Sequence, residues 1–181
     1  MIDILLSAYN GEKYLSEQLD SLFSQSYDDF KIIVRDDGSS DKTKDILIDY
    51  KNNFGNKLEI YFENNVGPKN SFFDLIKKSS NDYVMFCDQD DVWLDNILEV
   101  MMDTIKQYDD IPTLAYCDLK VVDENLNVIC DSFDDLLNYI KYLKDSKKDY
   151  QLYEFYINYK DKLSKEDTKK IAKILKKGHL L

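Results

Sequence analysis

The sequence predicts an α/β protein: a mostly parallel central sheet flanked by helices, with a helical C-terminal extension. Three observations carry this. Short apolar runs at residues 2–6, 30–34, 58–62 and 83–86 alternate with stretches whose apolar side chains recur every three or four positions. Strands that alternate with helices imply a parallel sheet covered on both faces. Beyond Phe133 the strand-like runs stop and only helical patterning continues.

Each element has its own signature. Ile2, Ile4, Leu5 and Leu6 make the first strand, broken by Asn10-Gly11. Tyr14, Leu15, Leu19, Leu22 and Phe23 lie at helical spacing across 12–25. Residues 30–34 form a second buried strand. The turn-rich 36–41 then caps a helix running to about Tyr50. Residues 58–62 alternate as a third strand. Asn64, Asn65, Gly67 and Pro68 mark a loop, followed by a helix over 70–78. Residues 83–86 are the fourth strand, and 93–108 an amphipathic helix carrying Leu94, Ile97, Leu98, Met101 and Ile105. A fifth strand is expected over 113–117, and a hairpin joining 120–122 to 127–129. Helices are expected over 134–144, 150–159 and 164–177. The last has Ser164 and Asp167 at capping-box spacing and Gly178 at its end. The expected organisation is an α/β domain over 1–133 and a helical extension over 134–181.

Composition narrows the function. The chain has 181 residues, a one-domain length, with 44% hydrophobic and 33% charged residues. No apolar run approaches the roughly 20 residues that span a bilayer. The opening segment lacks the pattern of a secretory signal. Cys87, Cys117 and Cys130 are odd in number and widely spaced, which suits reduced thiols. These features give the expectation of a cytoplasmic protein. The single histidine, His179, argues against a histidine metal site or a Ser-His-Asp triad. Net charge is −11. Residues 1–133 hold 12 basic and 27 acidic side chains, or −15, and residues 134–181 hold 12 and 8, or +4. An acidic body disfavours nucleic-acid binding, which requires basic surface. The basic tail suits either a solvated helical face or peripheral contact with an anionic membrane.

The chemistry concentrates in loops that follow strands. Asp88, Asp90 and Asp91 fall within four positions at the end of the fourth strand. Clustered carboxylates repel one another, and hard divalent cations such as Mg2+ or Mn2+ relieve that repulsion. A solvated turn capping the next helix is the other reading of the same cluster. Ser7 to Glu12 follow the first strand and Arg35 to Asp41 the second, and parallel sheets bind ligands along this edge. Neither G-x-G-x-x-G nor G-x-x-x-x-G-K-[ST] is present, which disfavours dinucleotide and P-loop sites. Carboxylates, a tyrosine and a metal together suggest a nucleotide diphosphate ligand.

Four ordered motifs now resemble family 2 glycosyltransferases of the GT-A fold. They are Ser7-Ala8-Tyr9-Asn10-Gly11, Gln25-Ser26-Tyr27, Asp36-Asp37-Gly38-Ser39-Ser40-Asp41, and Asp88-Gln89-Asp90-Asp91-Val92-Trp93. The last is similar to the bacterial rhamnosyltransferase-like branch, and the resemblance covers roughly residues 1–133. It implies an inverting, metal-dependent transfer from a UDP- or dTDP-sugar to a cell-surface polysaccharide acceptor, either a glycan or lipid-linked. It implies that Ser7, Ala8 and Tyr9 line the nucleotide pocket, with Tyr9 against the base. Asp37 would bind the base and Asp36 would shape its loop. Glu12 and Lys69 would face the donor. Asp88 and Asp90 would reach the ribose, and Asp90 and Asp91 a divalent metal, Mn2+ or Mg2+.

The resemblance also sets an expectation of something missing. In the family a carboxylate downstream of the acidic cluster deprotonates the acceptor. This chain passes from Phe133 directly into Asp134 and Asp135 and lysine- and tyrosine-rich helices, with no visible acidic base motif. The catalytic base is therefore unassigned. Asp134, Asp135 or a partner chain would supply it in an active enzyme. The alternative is a catalytically weak donor-binding module that acts with a partner transferase. A homodimer is a further expected assembly. A sugar nucleotidyltransferase is disfavoured because its glycine-rich opening is missing.

Overall fold

The computed structural model describes residues 1–108, 111–123 and 125–132. Two compact units divide between Ala115 and Tyr116. The expected break at residue 133 falls at the edge of the described residues. The expected helices over 134–177, with Asp134, Asp135 and His179, lie outside them.

The first unit is built on a four-stranded parallel sheet in the order β3-β2-β1-β4. Its strands are β1 (Ile2–Ala8), β2 (Phe30–Asp36), β3 (Leu58–Phe62) and β4 (Tyr83–Asp88). Helices α1 (Leu15–Phe23), α2 (Thr43–Phe54), α3 (Pro68–Lys78) and α4 (Ile97–Ile105) follow them in turn. Strand periodicity decides which face each side chain serves. Ile2, Ile4, Leu6 and Ala8 of β1 and Ile32 and Val34 of β2 join the main core with Leu15, Leu19 and Leu22 of α1. Phe30, Leu58 and Cys87, with Leu47 of α2 and Leu98 and Met102 of α4, complete it. The opposite face is smaller. Leu5, Ile33 and Leu75 of α3 pack there with Tyr61 and Phe72.

The amino-terminal end of β1 is anchored by Asp3. Its buried carboxylate accepts hydrogen bonds from Ser79 Oγ at 2.8 Å, Asn81 Nδ2 at 2.7 Å, and the Ser80 and Asn81 amides. This ties the turn before β4 to the start of β1.

In the second unit, β5 (Val121–Val122) and β6 (Val128–Cys130) form the expected hairpin. Its turn is held by Asp123, which accepts from the Asn125 and Asn127 amides at 2.9 Å.

One expected element is corrected. Residues 113–117 do not form a strand. Leu114 and Tyr116 are 84% and 83% exposed, so the run neither pairs nor buries its apolar face. β-propensity stabilises a strand only through neighbours that cover it. Among the described residues, no helix is long and apolar enough to cross a membrane.

Candidate functional site

Sheet topology fixes where the loops meet. From β1 the chain moves outward through β2 and β3, and then returns to place β4 on the other side of β1. The strand order therefore reverses between β1 and β4, and crevices at such switch points are the usual ligand sites of open α/β sheets. In the ladder Ser7 lies opposite Asp88, and Ala8 opposite Asp36. The loops after β1, β2 and β4 consequently leave one edge side by side.

The first two loops are laced together by side chain to backbone hydrogen bonds. Asn10 has φ +49°, a left-handed conformation that asparagine tolerates better than most residues. Its Oδ1 accepts from the Ser40 amide, and its own amide donates to Ser39 Oγ, both at 2.9 Å. The Gly11 amide donates to Thr43 Oγ1 at 2.8 Å. Glu12 bonds in both directions across the gap: its amide donates to Asp41 Oδ2 at 3.0 Å, and its Oε2 accepts from the Lys42 amide at 3.1 Å. Burial alone raises the Asp41 pKa, but hydrogen bonds from Thr43 and the Glu12 amide outweigh it and leave the carboxyl below its usual range. Glu12, expected to face the donor, is thus placed at the entry to α2.

Asp36 and Asp37 lie inward. Asp36 is fully buried, accepts from the Ser39 amide at 3.3 Å and has Lys44 Nζ at 3.9 Å. Asp37, expected at the base, is 2% exposed, and both of its oxygens are engaged. Oδ1 pairs with Arg35 and accepts from the Val66 amide at 2.8 Å, while Oδ2 accepts from the Gly67 amide at 2.9 Å. Gly67 precedes α3 with φ +82°, so Asp37 anchors the turn that launches this helix. Arg35 is equally buried and donates through Nη2 to Asn64 O at 2.9 Å. Its Nε has Glu63 Oε2 at 3.4 Å, close enough for an ion pair but without hydrogen-bond alignment.

Ser7 Oγ lies 2.6 Å from Ser71 Oγ on α3, which ties the end of β1 to that helix. Lys69 is on the first turn of α3, with its ammonium 5.9 Å from the centre of the Phe73 ring. Ala8 is fully buried in the main core, whereas Tyr9 beyond it is 48% exposed.

Across the switch point Asp88, Asp90 and Asp91 are all exposed. Their charges converge on the buried thiol of Cys87. Burial first, and then the carboxylate of Asp91 with those of Asp88 and Asp90, push this thiol well above its ordinary value, against the hydrogen bond from Gln18. Gln89 bridges the two sides. Its Oε1 accepts from the Tyr9 amide at 2.9 Å, and its Nε2 donates to the Tyr9 carbonyl at 3.2 Å. A Cβ on Gly11 would stand 2.5 Å from Gln89 Oε1, so the glycine makes room for this amide.

The segment after the acidic cluster is fixed by α1. Ser21 Oγ accepts from the Trp93 amide at 3.0 Å, and Gln25 Oε1 from the Leu98 amide at 3.1 Å. Gln25 Nε2 donates to Leu94 O at 2.7 Å, and the Ser26 amide to Asp95 O at 2.7 Å. The motif at 25–26 thereby sets where the acidic loop ends. Sequence reasoning assigned no role to Arg35, Thr43 or Gln89. An arginine directly after the apolar run 30–34 was the available signal for Arg35, and a neutral amide between carboxylates the signal for Gln89.

Among the described residues no three His, Cys, Asp or Glu groups converge into a metal cage. The exposed oxygen donors of Asp90 and Asp91 nevertheless fit a hard divalent cation shared with a diphosphate, since Mg2+ is commonly held by one or two carboxylates plus phosphate oxygens.

Comparison with known proteins gives a consistent pattern. Residues 3–159 match the family model of glycosyl transferase family 2. An uncharacterized glycosyltransferase of Rickettsia typhi is 29% identical over 124 residues, which cover 68% of this chain and 38% of that protein. The poly-beta-1,6-N-acetyl-D-glucosamine synthase of Staphylococcus epidermidis is 36% identical over 106 residues, 59% of this chain and 26% of that one. The chain thus spans well under half the length of these curated relatives. The crystal structure of S. aureus TarS 1-349 in complex with UDP superposes with a TM-score of 0.55 at 25% identity, covering 68% of this chain and 40% of that one. The same protein in complex with UDP-GlcNAc matches equally, at a TM-score of 0.55 and 25% identity.

Proposed function

The chain belongs to glycosyl transferase family 2, and from that premise we propose that it holds a UDP- or dTDP-sugar for inverting transfer to a bacterial surface-polysaccharide acceptor. The observation that carries this is the pairing of Ser7 with Asp88 at the switch point, with the Tyr9 backbone hydrogen-bonded to Gln89 within the acidic loop. In this reading the exposed Tyr9 ring stacks on the base, while Ser7 and Ala8 floor the pocket. Asp88 and Asp90 reach the ribose, and Asp90 and Asp91 hold a divalent cation, Mn2+ or Mg2+. That cation supplies charge to offset the leaving diphosphate. Asp36, Asp37 and Glu12 act by fixing the loops, because their carboxylates are already occupied within the protein. Lys69, exposed at the start of α3, is placed to meet the donor's phosphates. The UDP and UDP-GlcNAc complexes of TarS support the ligand class, and the polysaccharide synthase of S. epidermidis supports the product class.

Transfer also needs a base within hydrogen-bond reach of the acceptor hydroxyl. In this reading it comes from Asp134, Asp135 or a partner transferase. Titration calorimetry with UDP and dTDP, with and without Mn2+, tests donor holding. Asp91→Ala is expected to abolish the metal-dependent part of the affinity and to spare the metal-independent part. Release of sugar from the donor separates an active transferase from a donor-binding module. Failure of the wild type to bind either nucleotide rules out both.

A further inference from the structure

Gln89 joins the two flanks of the switch point through its side chain. It makes both backbone bonds that a neighbouring strand would offer to Tyr9, accepting from its amide and donating to its carbonyl. β1 ends at Ala8, so Tyr9 is the first residue past the ladder, and the amide extends strand-like pairing by one position. The main chain of Tyr9 is thereby satisfied, in a residue that is 48% exposed. Gly11 belongs to the same device, since any larger residue there would drive into Gln89 Oε1.

We infer that Gln89 is a positioning residue that presents the Tyr9 ring to the nucleoside and fixes it relative to the acidic loop. This rests on the donor-site reading above but adds something separate from it. Gln89 touches neither base nor metal in this scheme, and acts only through the backbone of Tyr9. A glutamine suits the task because one planar group supplies a donor and an acceptor side by side. The flanking aspartates, acceptor-only when ionised, lack the donor half. Preorganising the ring before the ligand arrives removes an ordering cost from binding.

The test is a double-mutant cycle on Gln89→Ala and Gly11→Ala, read by UMP and dTMP affinity, by pyrophosphate affinity in the presence of Mn2+, and by Tm. Gln89→Ala is expected to weaken nucleoside monophosphate binding about tenfold, the scale of one or two net hydrogen bonds. Pyrophosphate affinity and Tm stay at wild-type values, which a merely structural defect would not allow. Gly11→Ala is expected to cause a similar loss by displacing the amide. Combined with Gln89→Ala it adds little, because the group it displaces is gone. Hydrogen exchange provides a ligand-free readout: the Tyr9 amide is protected in the wild type and exchanges freely in Gln89→Ala. Unchanged UMP affinity and unchanged Tyr9 exchange in Gln89→Ala would overturn the inference, as would fully additive losses in the double variant. Wild-type protein that binds no nucleotide would overturn the donor-site reading and this inference together. Normal wild-type binding with a silent Gln89→Ala overturns the inference alone.

Discussion

Asp37 separates a carboxylate that touches the ligand from one that builds the site, and Asp37→Ala shows which it is. The side chain is 2% exposed and the Arg35 it pairs with is 1% exposed. Removing one member of a buried ion pair costs about 3–5 kcal/mol, because the other charge is left uncompensated. Arg35 retains Asn64 O at 2.9 Å and Glu63 at 3.4 Å, with Asp74 at 3.9 Å. These partners place the loss at the lower end, about 3 kcal/mol. The Val66 and Gly67 amides also lose their acceptor, but both residues are open enough for water to replace it. In a chain of this length about 3 kcal/mol corresponds to a fall in Tm of roughly 6–12 °C. Asp37→Asn keeps the shape and one acceptor while losing the charge, and is expected to fall between Ala and wild type. Thermal unfolding followed by circular dichroism measures the effect, with UDP affinity taken at a temperature where both proteins are folded. An Asp37→Ala protein with wild-type Tm and no nucleotide binding would refute the reasoning, since the carboxylate would then serve the ligand and not Arg35.

Two further predictions come from titratable groups. Burial by itself raises the Asp3 pKa, but the hydrogen bonds from Ser79, Ser80 and Asn81 outweigh it and leave the folded value below normal. A carboxyl whose folded pKa is depressed adds stability that is complete above its unfolded value of about 3.9 and is lost as pH falls through the folded value. Urea midpoints measured downward from pH 7 should therefore drop less steeply for Asp3→Asn than for wild type below about pH 4, and parallel curves would count against the assignment. The Cys87 thiol is buried and held well above its usual pKa, whereas Cys117 is exposed. Iodoacetamide in mildly alkaline buffer should label Cys117 first and leave Cys87 until the protein unfolds, as read by peptide mass spectrometry. Equal labelling rates in the folded protein would contradict the burial of the Cys87 thiol.

The parts of the fold legible in the sequence are those where local pattern and tertiary packing ask for the same thing. The apolar runs that became β1 to β4 are legible because each is short, apolar and bounded by turn residues; β1 and β2 are buried on both faces, whereas β4 leaves Val84 and Phe86 exposed. Their ends were harder. Ser7, Ala8, Arg35 and Asp36 look like loop in composition, yet the ladder continues through Ser7↔Arg35 and Ala8↔Asp36 because the two chains stay in register. The start of α4 was misplaced for a related reason. Helical spacing begins at Trp93, but its amide is taken by Ser21 and that of Leu98 by Gln25, so helix begins only at Ile97. Residues 113–117 carry strand-forming side chains that pair with no strand among the described residues, and pairing is not written in a single segment. In the candidate site, the three loops and their convergence were legible from motif order. Which polar atoms face inward was not, because that depends on partners some 30 to 80 residues away.

This division bears on how the motifs themselves should be understood. Asn10, Glu12, Gln25, Asp36, Asp37, Ser39, Asp41 and Thr43 all spend polar atoms on bonds within the protein. The Tyr9 ring and the exposed carboxylates of Asp88, Asp90 and Asp91 are what the edge offers outward. Most of the signature therefore encodes the mounting of the site, and a small part its contact surface. That proportion follows from the geometry of a switch point, where three loops without regular structure must be held still relative to one another. Backbone groups leaving a ladder have lost their strand partners, and each must be satisfied by a side chain or by water. Side chains that satisfy them also fix the loop, so the same residues that repair the edge of the sheet preorganise it for a ligand. Substitutions in the mounting residues should then weaken binding through loop disorder and lowered stability together. Substitution of the exposed Tyr9 ring should weaken binding with little effect on Tm, because an exposed side chain contributes little buried area.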